Sequence, residues 1–176
     1  EIGTVKRQDI LENQAKIVYL GIGSNLGDRK KNIEIAKSHL SENNLNFLSI
    51  SSFYETPSWP DPKKPKFLNI VIKAKFYYDP ENLLKICKKI EILLGRKKGK
   101  KNDPRVCDID IIDFNKKVLK VKNKLTLPHK LMHKRNFVLI PFFEIQKEWH
   151  HPVIKKDLKS LISSLSHADI RSIKQI

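Results

Sequence analysis

Two aspartates stand two residues apart in an apolar run, Asp108-Ile109-Asp110. In an extended strand, residues i and i+2 project to the same face, so both carboxylates would point one way. Side by side they repel, and each raises the other's pKa. A hard divalent cation such as Mg²⁺ removes that cost, being held by one or two carboxylates together with substrate phosphates. The competing explanation is the solvated polar face of an edge strand. Ile109, Ile111 and Cys107 would face the core in either case.

The residues before this pair favour the metal. Arg105 lies three positions upstream, Arg96 opens the preceding stretch, and Lys97, Lys98, Lys100 and Lys101 fill it. Phosphoryl transfer asks mainly for positioning and for neutralised phosphate charge, and guanidinium groups bind phosphate oxygens in a fixed fork. The four lysines individually read as a solvated run. His129 and His133 have a zinc-compatible spacing, but Lys130 replaces the glutamate of the protease motif, so a histidine donating to phosphate is the better reading. Arg135 and Phe137 follow. Phe67, Asn69 and Phe137 offer two rings and an amide that could hold a flat heterocycle, although on the residues alone ordinary core packing is the better explanation of both phenylalanines. Gly21, Gly23 and Gly27 fit neither the dinucleotide fingerprint nor the P-loop. They read as glycines that let a strand turn sharply into a helix.

These residues need a frame. An apolar run at 17–22 predicts a buried strand. Asp28 is an N-cap for a helix carrying Ile33, Ala36 and Leu40, which Asn43-Asn44 ends. A second strand is expected over 47–54, then a stiff loop with Pro57, Pro60, Pro62 and Pro65. A third strand covers 67–76. Asp79-Pro80 caps a helix with Leu83, Cys87, Ile90 and Leu94 on its apolar stripe, closed by Gly95. The fourth strand is 107–114. Strand, helix, strand, strand, helix, strand is the split βαβ order of an α+β, ferredoxin-like sandwich: an antiparallel sheet with helices on one face. A hairpin around 115–127, a turn at Pro128 and helical patterns at 135–146 and 158–165 form a C-terminal helical extension. Residues 1–15 read as an unassigned N-terminal tail and 16–176 as one domain.

The chain has 176 residues, enough to bury a core without disulfides. Its two cysteines match no zinc spacing and read as cytosolic thiols. No apolar run reaches the roughly 20 residues of a membrane span, and the first fifteen residues are too polar for a secretory signal. The net charge is +16, but only six of the 35 basic residues are arginines. Lysine as a generic surface residue accounts for most of the charge better than a polyanion partner does, and no RNA-recognition signature accompanies it. A two-metal nuclease or nucleotidyl transferase would use the same aspartate pair.

Six segments in order decide among these. YLGIGSNLGD at 19–28, SSFYETP at 51–57, FLN at 67–69, PRVCDIDI at 104–111, LPH at 127–129 and RNF at 135–137 together resemble the 6-hydroxymethyl-7,8-dihydropterin pyrophosphokinase family over roughly 17–146. The resemblance implies a ferredoxin-like core and transfer of pyrophosphate from ATP to the pterin hydroxymethyl group, leaving AMP, in folate biosynthesis. It implies two Mg²⁺ ions on Asp108 and Asp110. Phe67 and Phe137 would sandwich the pterin, Asn69 would read its edge, and backbone near Thr56 and Trp59 would assist. Arg96, Arg105, Ile111, His129 and Arg135 would serve ATP, with Arg96 and Arg105 also acting in catalysis. The loops at 57–66 and 96–102 would close over the substrates. Where many members carry Trp-Gly before the Pro-Arg pair, this chain has Asn102-Asp103 in a loop one residue shorter, leaving Trp59 as the remaining cover. Lys130 replaces a frequent tyrosine. A cytoplasmic monomer without nucleic-acid or membrane partners is expected.

Overall fold

The computed structural model describes residues 14–176, so nearly all of the expected N-terminal tail lies outside the described residues. β1 (Lys16–Ser24) leads into α1 (Arg29–Glu42), where the Asp28 carboxylate accepts from the Lys31 N–H at 3.1 Å. Asn44 at φ 68 turns the chain back. β2 (Asn46–Ile50) and β3 (Tyr54–Thr56) both pair with β4 (Phe67–Phe76) along one edge. The single strand expected over 47–54 is thus two. Ser51 separates them because its hydroxyl accepts the Val71 N–H at 2.9 Å, a bond a regular ladder gives to a carbonyl. Asp79 caps α2 (Pro80–Leu93), and Gly95 at φ 100 closes it. β5 (Asp108–Phe114) follows, then the β6 (Leu119–Val121) and β7 (Leu125–Leu127) hairpin. A 3-10 turn (Met132–Lys134) precedes α3 (Asn136–Ile145). α4 (Leu158–Ser163), α5 (His167–Ser172) and β8 (Lys174–Gln175) end the chain.

The sheet runs β5-β1-β4-β3-β8 with β2 also on β4, all antiparallel. This is the ferredoxin-like order, as the sequence led us to expect. Strand alternation sorts the apolar residues into two cores. Val18, Leu20, Ile22, Ile70, Ile72, Ile109 and Ile111 pack with Ile33 and Leu40 of α1 and Leu83, Cys87 and Ile90 of α2. Tyr19, Val71 and Ile112 pack on the opposite face with Leu139 and Phe142 of α3, Trp149 and Leu158. The C-terminal extension is therefore a third layer. Among the described residues no helix is long and apolar enough to cross a membrane.

Candidate active site

The site lies on the face that α3 covers only in part. Register places Gly23 of β1 between Asn69 of β4 and Asp108 of β5, and Gly21 between Val71 and Asp110. Paired residues project to the same side, so the two glycines place no side chain of their own between an amide on one side and two carboxylates on the other. Asn69 and Asp108 stand two strand spacings apart, roughly 10 Å. A Cβ at Gly23 would meet Asn69 Oδ1 at 3.0 Å and the Phe67 ring at 3.4 Å. These glycines accordingly sit inside the strand and leave room for their neighbours' side chains. The turn expected of them is made at Gly27, at φ 71.

Basic groups offset the carboxylates. Asp108 pairs with Arg96 at 3.0 Å and Arg105 at 3.1 Å. Asp110 pairs with Arg135 at 3.4 Å and lies 3.9 Å from His129 Nε2. Burial first, and then Asp108, push the Asp110 carboxyl up to about 6, against the pull of Arg135. Burial first, with Arg135 and Lys130 adding to it, lowers His129 to about 4, so it is neutral at pH 7. Its Nδ1 accepts the Leu131 N–H at 3.2 Å, which leaves the proton on Nε2, facing Asp110. Two carboxylates on one strand face suit a hard divalent cation that takes its other ligands from phosphate and water. No cluster of three or more His, Cys, Asp or Glu side chains accompanies them among the described residues.

Each flanking group has its own support. His129 is fixed by its N–H to the Ile112 carbonyl at 2.8 Å. Arg135 precedes the first turn of α3, and its guanidinium stands 5.4 Å from the Phe137 ring centroid. Asn69 donates to the Thr56 hydroxyl at 3.1 Å, and both are buried. Trp59 is 75% exposed in the proline-rich loop. Ile111 projects into the opposite core, so only its main chain can reach a ligand on this face.

Two residues absent from the sequence reading hold the site together. Buried Asn25 accepts the Arg105 N–H at 2.7 Å and donates to the Ser58 hydroxyl and the Pro65 carbonyl, each at 3.2 Å. One amide thus ties the β1–α1 turn to the proline-rich loop and to the start of the Arg105 segment. Lys64 adds a bond to the Asn102 carbonyl at 2.9 Å. The second residue is Glu91, which contacts Arg96 and the Ile109 N–H. Its signal was its position: Leu83, Cys87 and Glu91 form an i, i+4 row, which puts a carboxylate on the buried stripe of α2.

The chain is similar to known proteins along most of its length. The family model for 7,8-dihydro-6-hydroxymethylpterin-pyrophosphokinase matches residues 19–147. A 2-amino-4-hydroxy-6-hydroxymethyldihydropteridine pyrophosphokinase from Aquifex aeolicus is 42% identical over 142 residues, covering 81% of this chain and 88% of the relative. The protein of that name from Bacillus subtilis is 35% identical over 130 residues, covering 73% and 77%. The Plasmodium falciparum HPPK-DHPS structure with pteroate superimposes with a TM-score of 0.70 at 18% identity, over 86% of this chain. The chain spans 42% of that structure's length, and the likeness shows the shared fold. The chain belongs to the 7,8-dihydro-6-hydroxymethylpterin-pyrophosphokinase family.

Proposed function

We propose that the chain transfers the pyrophosphoryl group of ATP to the hydroxymethyl oxygen of 6-hydroxymethyl-7,8-dihydropterin. The oxygen bonds to the β-phosphorus and releases its proton to water, the bond from that phosphorus to the α,β-bridging oxygen breaks, and AMP leaves with that oxygen. The observation that carries this reading is that Gly21 and Gly23 of one strand stand between the Asn69 amide and a carboxylate pair ringed by arginines, all on one face of the sheet.

Asp108 and Asp110 are the residues that would hold Mg²⁺, two ions by family resemblance, which when bound neutralises charge on the triphosphate. Arg96, Arg105 and Arg135 already point at that position and can turn from carboxylate to phosphate. Neutral His129 donates from Nε2 and adds no charge. Asn69, with Thr56 behind it, reads the pterin edge, and Phe67 and Phe137 supply ring faces. The loops at 57–66 and 96–102, joined through Lys64, exclude water that would otherwise hydrolyse ATP. In this reading the enzyme works as a cytoplasmic monomer and needs no nucleic acid.

The test is product analysis after mixing the chain with ATP, Mg²⁺ and the pterin alcohol. AMP formed in step with pterin diphosphate supports the reading. A folded chain that forms neither would count against it.

A further inference from the structure

Glu91 has no part in the reaction described above, yet its placement is demanding. It is 1% exposed near the C-terminal end of α2, beside Cys87 and Ile90, where an apolar side chain would pack. Burying a carboxylate is costly unless each oxygen finds a partner. Here each does. Oε2 accepts from Arg96 Nη1, and Oε1 accepts from the Ile109 N–H at 3.3 Å. Ile109 is the residue between Asp108 and Asp110. One buried group therefore fixes a guanidinium on one side and the backbone of the carboxylate strand on the other. The chain around it is short and closed, since the Arg96 N–H also donates to the Glu91 carbonyl at 3.0 Å.

The same Arg96 Nη1 reaches Asp108 Oδ1 at 3.0 Å. Its two carboxylate partners differ in what can compete for them. The Asp108 side chain is 25% exposed and faces the site, so a cation can draw it away and substrate phosphates can take its place beside Arg96, whereas the Glu91 side chain is 1% exposed on the far side of Arg96. We propose that Glu91 is a positioning residue that keeps Arg96 aimed at the phosphate position once Asp108 is engaged elsewhere, and that holds the Asp108–Asp110 strand in register with it. The inference rests on the reaction proposed above.

Glu91→Gln tests it. The amide keeps the shape and can still accept the Ile109 N–H, but it loses the charge that pairs with Arg96. Misplacing a group that contacts the reacting phosphates can slow turnover by about a hundredfold. We expect kcat to fall about tenfold to a hundredfold, with the melting temperature lowered, because an amide that accepts the Ile109 N–H turns its own NH2 toward Arg96 Nη1. Pterin affinity measured without ATP should not move. In a double-mutant cycle with Arg96→Ala, the double variant should be no slower than Arg96→Ala alone, and affinity for a non-hydrolysable ATP analogue should follow the same non-additive pattern. Full activity in Glu91→Gln, additive losses in the cycle, or an unfolded variant would each overturn the positioning role. Wild type and Arg96→Ala are assayed in parallel. An inactive wild type overturns the reaction and this inference together; an active wild type with additive losses overturns this inference alone.

Discussion

At the residue scale, the carboxylate pair sets the chemistry. Asp108→Ala or Asp110→Ala should reduce turnover to background while leaving thermal unfolding within about 1 kcal/mol, because each removes a repulsive partner rather than a packing group. Near-normal turnover in both would remove the metal assignment. Asp110 also predicts a pH dependence. Its carboxyl, raised to about 6, must ionise before it can hold a cation. Magnesium affinity without nucleotide should fall about tenfold per unit below pH 6 and be flat above pH 7, as read by calorimetry; a flat profile from pH 5 to 7 would contradict it. His129 stays neutral across that range. For stability the two act in opposite directions. Asp110 holds a proton that the unfolded chain releases above 3.8, so its contribution is full below 3.8 and is lost as pH rises through 6. His129, lowered to about 4 from 6.5, contributes above 6.5 and loses that contribution as pH falls toward 4. Between pH 4 and 6 the unfolding midpoint should therefore move less than in Asp110→Asn, where only the histidine contribution remains. The structure gathers the carboxylates, arginines and Asn69 that the sequence singled out, the carboxylates by strand alternation and the rest by residue type and family resemblance. Glu91 offered only its place in the row with Leu83 and Cys87, and Asn25 offered nothing beyond a turn, because burial is what distinguishes a support from a surface group.

At the element scale, the loops depend on a single buried amide. Asn25→Ala leaves the Arg105 N–H without its acceptor, while the Ser58 hydroxyl and the Pro65 carbonyl keep only their bond to each other at 2.6 Å. It should cost about 2–3 kcal/mol in denaturant unfolding and lower kcat more than it weakens nucleotide binding, since Arg105 loses its backbone anchor. Unchanged stability would mean water replaces the amide at no cost. Lys64→Ala, by contrast, removes a part-exposed contact and should shift stability by less than about 1 kcal/mol. The helices were readable from caps: Asp28, Asp79 with Pro80, and Gly95 each sit where their chemistry predicts. The glycines were misassigned because sequence cannot distinguish a glycine that turns the chain from one that leaves room for a neighbour's side chain. β8 has no local signal, since its two residues are ordered by pairing with Tyr54 and Glu55.

At the scale of the whole molecule, two cores enclose one sheet, and the active face is the one that α3 leaves open near Asp108 and Asn69. The third layer also carries two of the proposed site residues, Arg135 and Phe137, at the entry to α3. Phe142 anchors that layer against Tyr19, with ring centroids 4.5 Å apart, and against Trp149 at 4.8 Å. Phe142→Ala should cost about 3–5 kcal/mol and disturb pterin binding through Phe137; a loss under about 1 kcal/mol would show the layer to be loosely packed. In the proposed reaction the β- and γ-phosphates move together. The direct measurement is transfer from ATP labelled at the β-phosphorus, in the presence of Mg²⁺ and the pterin alcohol. We predict the label on the pterin and unlabelled AMP in equal amount; label retained in ADP would contradict pyrophosphoryl transfer.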